Sequence, residues 1–451
     1  MNRSWILASV MALIVSGAVA DEPPPYSPRL LRLQGEIAEG KAAAIEAFWA
    51  ERQWASAPLV EPLEGKGAQV LVTFLWRGDP ATKNVFVITL DQVQFSNAAY
   101  LARGRLARLA GSDVWYRTYR MPCDLRFSYR FSVNDPGTLT PAMSSDETAR
   151  RTAQLRPDPQ NRRHYASRSG DSSVAELPCA TPQPDAITQE GIPHGEVTKE
   201  IFAGGSGESH ALQIYTPPHS NEVRASSLVI LIGGEFSADF PVPTMLDNMI
   251  ARKEIPPTIA VSIGFTDMAA YVNASRSNER FARYVAEELL PWLRGRYSIA
   301  NNARRVVIAG SSAPGAGALF VAMRHPDAFG GVLTQAGGYS YANPPASDEL
   351  IPSEQPEGEP LARELAHVDP LPFSVFLAVG TLDDVTYEGK DPFYAHATVL
   401  VAARHLRDVL EAKRYNMRYR EFGGGHETLA WRGTFGEGLE WLLSLPSLGR
   451  D

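Results

Sequence analysis

Apolar positions follow two unlike patterns along the chain. Between 68 and 133, short runs rich in β-branched and aromatic residues occupy 68–76, 84–90, 115–121 and 125–133. Runs of this kind suit a pleated surface with one buried face, and their spacing predicts an antiparallel sandwich. Past residue 196 the character changes. The runs at 228–232, 306–309 and 375–379 are apolar without alternation, as expected of strands covered on both faces. Between them, segments such as 278–297 and 398–414 place apolar residues at helical spacing, so this half predicts a doubly wound parallel sheet. Ahead of the sandwich, 30–54 is rich in Ala, Glu and Leu and predicts one or two helices. From 134 to 195 the chain is rich in Pro, Ser, Asp and Arg with little periodicity, which predicts a long linker draped over both units. The expected division is therefore a helical lead and sandwich over 21–133, a linker over 134–195, and the parallel-sheet unit over 196–451. No internal repeat interrupts it.

The segment Arg305-Val306-Val307-Ile308-Ala309-Gly310-Ser311-Ser312-Ala313-Pro314-Gly315 carries the first chemical signal. It predicts a buried strand, a sharp turn and a helix of small residues, the sequence form of a nucleophile elbow. Ser312 is the candidate nucleophile because it has glycine two positions before it, where a side chain would crowd the crossing of strand and helix. Ser311 is the lesser alternative. Pro314 stands where G-x-S-x-G has glycine. In the first helical turn its missing N–H costs no hydrogen bond, and Ala313 keeps the N–H that donates to an oxyanion in such elbows.

Two further signals follow in order. The stretch Ser374-Val375-Phe376-Leu377-Ala378-Val379-Gly380 ends in Thr381-Leu382-Asp383-Asp384, a strand followed by carboxylates; Asp383 is the candidate acid and Asp384 the reserve. His426 follows Gly423-Gly424-Gly425, a run that lets a loop swing an imidazole toward a neighbouring element. Ser, acid, His is the chain order of an α/β-hydrolase triad. A second oxyanion donor is expected from the Gly233-Gly234 turn, at the backbone N–H of Glu235 or Phe236.

Together these stretches resemble the enterochelin (enterobactin) esterases, siderophore-ester hydrolases of the esterase D type. The resemblance runs through Ile255-Pro256-Pro257-Thr258, Glu287-Glu288-Leu289-Leu290-Pro291-Trp292, Arg324-His325-Pro326-Asp327, Gly424-Gly425-His426 and Trp431-Arg432. In the N-terminal half it includes Val72-Thr73-Phe74-Leu75-Trp76-Arg77, Gly111-Ser112-Asp113-Val114-Trp115 and Asp158-Pro159-Gln160-Asn161. It implies an α/β hydrolase preceded by an immunoglobulin-like β-sandwich domain that helps shape the substrate pocket. The implied reaction is hydrolysis of the trilactone of a catecholate siderophore, with or without iron. Ser312 would attack the carbonyl, His426 would carry the proton, and Asp383 would hold the imidazole. No cofactor is implied. The family's Arg-x-x-Glu-Leu stretch is replaced here by Tyr271-Val272-Asn273-Ala274-Ser275, removing an arginine suited to an anionic catecholate. Arg432, Arg276 and Arg280 are the candidates to supply that charge, and Trp431 is a candidate to stack on a catechol ring.

Composition adds exclusions. The chain has 451 residues and a formal charge of −8, a balance that argues against a nucleic-acid partner. No zinc-type Cys/His spacing or phosphate-binding glycine pattern stands out. Arg3, an apolar run over 5–15 and Ala18-Val19-Ala20 before Asp21 form a signal-peptide pattern over 1–20, which predicts export to a periplasm. The run is short for a membrane span, and no cysteine follows it for a lipid anchor, so no stable membrane attachment is expected. In an oxidising compartment Cys123 and Cys179 are placed to pair or to remain as two buried thiols. The expectation is a periplasmic serine esterase acting on a small-molecule siderophore. Its alternatives are a general carboxylester or thioester hydrolase of the same fold and a non-catalytic siderophore-binding protein.

Overall fold

β-Branched and aromatic residues of the N-terminal half build two four-stranded antiparallel sheets. Their strands are β1 (Leu59–Pro62), β2 (Gln69–Arg77), β3 (Val85–Thr89), β4 (Ala107–Arg108), β5 (Val114–Pro122), β6 (Arg126–Val133), β7 (His164–Ser167) and β8 (Gly170–Glu176). The spatial orders are β1-β2-β5-β4 and β3-β6-β8-β7. The computed structural model describes residues 27–444 apart from 52–56, 64, 66, 90–103, 136–144, 168–169, 221–224, 235, 267, 276–277, 340–358 and 384–397. The expected signal peptide lies outside these residues.

Phe74 of β2 meets Tyr129 of β6 edge-on, with ring centroids 4.9 Å apart, and Phe127 and Phe131 complete the aromatic centre. Helices Pro28–Ala38 and Ala44–Ala50 cover the other face of the first sheet, packing Leu30, Leu33, Phe48 and Trp49 against Leu75, Val114 and Tyr116. Strand β6 departs from the usual alternation, since it is buried along both faces. Its apolar face is the sandwich core. Its polar face, with Arg126 and Ser128, turns toward the second unit.

The 134–195 segment is not a linker throughout. It contains the helix Ser145–Gln154 and strands β7 and β8, and β8 pairs with β6 so that Phe127 lies opposite Ala175. The strands escaped the pattern because they are short and carry His164, Asp171, Ser172 and Ser173 in place of an apolar alternation. Their polar groups are satisfied by loops, as where the Asp158 N–H donates to Ser173 Oγ at 2.8 Å. A disulfide joins Cys123 at the start of the β5–β6 turn to Cys179 just past β8, with Cα atoms 5.0 Å apart.

The second unit is an eight-stranded sheet. Its strands are β9 (Glu196–Ala203), β10 (Ser209–Thr216), β11 (Ser227–Ile232), β12 (Thr258–Ile263), β13 (Val306–Ser311), β14 (Gly331–Gln335), β15 (Ser374–Gly380) and β16 (Met417–Phe422), in the order β16-β15-β14-β13-β11-β12-β10-β9. From β12 through β16 neighbouring strands run parallel, and β9 and β10 close one edge antiparallel. Strands β11, β12 and β14 are buried over their whole length, and each Leu, Ile or Val so covered contributes about 1.5–3 kcal/mol. One face carries helices Glu279–Arg283, Leu290–Arg296, Ala313–Arg324, Pro360–His367 and Val399–Ala412; the other carries Val242–Ala251 and Thr428–Ser444. The single helix expected over 278–297 is continuous but widens to a π turn at Tyr284–Leu289. Pro291 has no N–H to return to the preceding turn, which accounts for the local unwinding. Among the described residues, no helix is long and apolar enough to cross a membrane.

Candidate active site

The end of β13 turns into the helix Ala313–Arg324 through one residue, Ser312, whose backbone sits at φ 62° and ψ −140°. That conformation is strained for any residue with a Cβ, and strain held in place at a turn is a feature of functional sites. Its surroundings dictate the glycines. A Cβ on Gly310 would lie 2.2 Å from the Pro314 carbonyl oxygen, and one on Gly315 would lie 2.9 Å from Thr334 Oγ1. Pro314 itself is buried at the helix start, where a Cβ on Gly233 would lie 3.0 Å from its Cγ and 2.8 Å from the Tyr271 ring. The departure from G-x-S-x-G is thus absorbed by a glycine on the neighbouring strand end. Gln335, at the end of β14, accepts the Ser312 N–H at its backbone oxygen, 2.9 Å away. Its side-chain oxygen accepts the Ser311 hydroxyl at 2.9 Å. Ser311 is therefore turned into the scaffold, and Ser312 is the serine presented to His426.

The three residues singled out in order along the chain meet at the carboxyl ends of β13, β15 and β16. Ser312 Oγ lies 2.7 Å from His426 Nε2. The other imidazole nitrogen, Nδ1, lies 3.0 and 3.1 Å from the two oxygens of Asp383, a fully buried carboxylate. An ionised carboxylate only accepts, so Nδ1 carries the proton and Nε2 accepts that of the serine. The loops after β15 and β16 hold this register through Thr381 N–H donating to Phe422 O and Leu382 N–H donating to Gly424 O, both at 2.9 Å. Asp384 lies outside the described residues. Trp431 stands edge-on to His426 with ring centroids 4.9 Å apart.

For an oxyanion, Ala313 opens the helix, and its N–H belongs to the first turn that no intrahelical carbonyl reaches. The second donor expected from the chain at 235–236 is corrected in part. The Phe236 N–H donates to Gln213 Oε1 at 2.7 Å, so it is already engaged; a side chain from β10 that reaches across the strand end leaves no mark near Phe236 in the sequence. Glu235 lies outside the described residues.

The expected binding residues divide. Arg432 is half-buried and gives its Nε–H to Gln183 Oε1 at 2.7 Å, with its guanidinium 6.0 Å from the Tyr165 ring centre. Burial, reinforced by Arg126, lowers its pKa from the ordinary arginine range. It thus fastens the Thr428–Ser444 helix to the N-terminal half. Arg280 is largely exposed and pairs with Glu208 at 2.6 Å, which makes it a surface ion pair. Arg276 lies outside the described residues. Trp431 packs beside His426, and its carbonyl accepts from the Gln335 amide at 2.8 Å.

Sequence reasoning missed Gln335, which ties both elbow serines to the Trp431 turn, and Glu427. The Glu427 carboxylate is buried beside His426 and accepts the Ser128 N–H at 3.0 and 3.2 Å and the Ser128 hydroxyl at 2.6 Å. The buried, strand-bound serine in β6 was the available signal, since a polar residue on a fully covered strand needs a partner.

Comparison with known proteins follows the same outline. The family model for the N-terminal part of enterochelin esterase matches residues 71–186, and the Esterase model matches 205–442. The iron(III) enterobactin esterase of Dickeya dadantii (strain 3937) is 25% identical over 429 residues, spanning 89% of this chain and 94% of that protein. The iron(III) salmochelin esterase of Escherichia coli O6:H1 is 24% identical over 412 residues, 90% of this chain and 96% of that protein. Among solved structures, the enterobactin esterase of Shigella flexneri in the presence of enterobactin superposes with a TM-score of 0.66 at 26% identity, covering 88% of this chain and 97% of that one. The ferric enterobactin esterase of Salmonella typhimurium gives a TM-score of 0.69 at 25% identity, with 88% and 98% covered.

Proposed function

The chain belongs to the enterochelin esterase family, and from that premise we propose that it is a serine esterase that hydrolyses the trilactone ester bonds of a catecholate siderophore, free or iron-loaded. The observation that carries this reading is the hydrogen-bonded chain from Ser312 Oγ through His426 to the buried Asp383, set on a strained elbow.

Ser312 gives its proton to His426 Nε2 as its oxygen adds to the ester carbonyl. The imidazolium so formed is stabilised by Asp383, which keeps Nδ1–H aimed and does not itself take the proton. Negative charge gathers on the former carbonyl oxygen, where the Ala313 N–H at the helix start supplies a fixed dipole; one such donor contributes about 3–4 kcal/mol to the transition state. His426 then gives that proton to the departing serine oxygen of the ligand backbone, which leaves as a hydroxyl. Water, activated by the same imidazole, releases the acyl group from Ser312.

The reading places the reaction outside the inner membrane, on the strength of the signal-peptide pattern at 1–20. N-terminal sequencing of protein recovered from a periplasmic fraction is expected to begin at Asp21; an uncleaved chain retained with cytoplasmic markers would contradict it. Substrate class is tested by comparing kcat/KM for enterobactin, ferric enterobactin and 4-nitrophenyl acetate. A siderophore is expected to exceed the aryl ester, and the reverse order by a wide margin would replace this assignment with a general carboxylesterase.

A further inference from the structure

Glycine-rich loops position a catalytic side chain poorly unless something outside them fixes the backbone, because glycine leaves the most conformational freedom to be lost. The loop before His426 is three consecutive glycines; its own sheet holds it at Gly424, whose carbonyl accepts the Leu382 N–H at 2.9 Å, and the residues on either side of that point are held from the other half of the molecule. Gly423 O accepts the Arg126 N–H at 3.1 Å. A Cβ on Gly423 would lie 2.4 Å from the Asp124 carbonyl oxygen, so the two backbones are in direct contact there. Immediately after the histidine, the buried Glu427 carboxylate takes both the N–H and the hydroxyl of Ser128. The Glu427 carbonyl in turn accepts the N–H groups of Ala430 and Trp431 at 3.0 and 3.1 Å, opening the Thr428–Ser444 helix. His426 is thus held between two anchors on one short piece of β6 and the turn before it.

We propose that Glu427 is a positioning residue for the reaction: by locking onto Ser128 it sets the His426 imidazole against Ser312, and the N-terminal sandwich is thereby a working part of the catalytic apparatus. The chemistry of the bond fits the task. A carboxylate accepting two donors from one residue is fixed in distance and in rotation, and a charge-assisted hydrogen bond is roughly twice as strong as a neutral one. A buried carboxylate also has no solvent alternative to this partner. The inference rests on the serine-esterase reading of the triad, and its test is chosen to stand apart from the choice of siderophore.

The experiment compares full-length wild type with Glu427→Gln and Ser128→Ala, using enterobactin and 4-nitrophenyl acetate as separate substrates, thermal unfolding as the control for folding, and the low-field proton resonance of His426 Nδ1–H as a direct report on the His426–Asp383 bond. Glu427→Gln is expected to lower kcat on both esters by up to about 100-fold with KM little changed, and to shift or broaden the low-field resonance in a protein that still unfolds cooperatively. Ser128→Ala, which keeps the backbone donor, is expected to show the same changes in smaller measure. Should Glu427→Gln fail to fold, the Ser128→Ala result decides. Folded variants with wild-type kcat and an unmoved resonance would overturn the proposal. A wild type that turns over neither ester would overturn the esterase reading instead, and the resonance would then decide the positioning role on its own.

Discussion

The Ser312 elbow and the His426 loop place neighbouring atoms in one hydrogen-bonded chain, yet they are secured from opposite directions. These contacts that shape the elbow come from its own α/β unit: Pro314 over Gly310, Thr334 beside Gly315, Gln335 on both serines. The His426 loop has one such contact, from the Leu382 N–H to Gly424 O, and is otherwise secured by Asp124, Arg126 and Ser128 of the sandwich, while Gln183 donates to Leu429 O at 2.9 Å and Tyr165 and Val174 pack on Leu429. Even the loop of the acid touches that side, since Leu382 packs against the sandwich core. The nucleophile is a property of the α/β unit. The base depends also on how two units meet.

This contrast predicts a graded set of responses. The largest should come from Gly310→Ala. The added Cβ would meet the Pro314 carbonyl at 2.2 Å and its carbon at 2.4 Å, both backbone, so neither can swing aside. A loss of at least 4 kcal/mol in urea unfolding is expected, at the level of the severest single substitutions; a stable, active variant would show that the elbow has more slack than its geometry allows. Next comes Cys123→Ser, which frees the strap running from the β5–β6 turn to the chain past β8. Its removal should lower unfolding free energy by about 2–4 kcal/mol in protein purified under oxidising conditions, and a midpoint equal to wild type would remove the disulfide from the account. The smallest is Gly423→Ala. Here the collision at 2.4 Å is with Asp124 O, across the junction between units, and a loop can yield where an elbow cannot. kcat should fall by about 10-fold, equivalent to roughly 1.4 kcal/mol, while thermal unfolding moves only a few degrees. Equal damage from Gly310→Ala and Gly423→Ala would erase the distinction between the two regions.

The same contrast explains what the amino-acid sequence discloses. The elbow is legible because its constraints act within a few residues: an apolar strand, a glycine two positions before the serine, small residues after it. The triad acid and base are legible from their order and from the strand and glycines beside them. Strands β2, β3, β5 and β6 stand within a residue or two of the runs expected at 68–76, 84–90, 115–121 and 125–133, since each alternates or fills a core in its own right. What stayed hidden depends on distant partners. Glu427 and Ser128 are 299 positions apart, Gln213 reaches Phe236 from another strand, and β7 and β8 read as linker because their polar residues make sense only beside the loops they bond. Arg432, a short way past His426 in sequence, gives its Nε–H to Gln183, a partner that no local pattern marks.

The central claim is that Ser312, with His426 and Asp383, opens a siderophore trilactone, and a chromatographic time course of enterobactin and its ferric complex tests it most directly. Mature wild type and Ser312→Ala would be run side by side. Linear trimer, dimer and monomer appearing with wild type, and slowed by roughly 10⁶-fold in the variant as for other serine nucleophiles removed from a triad, is the predicted result. Intact trilactone with both proteins, or equal rates from both, would contradict it.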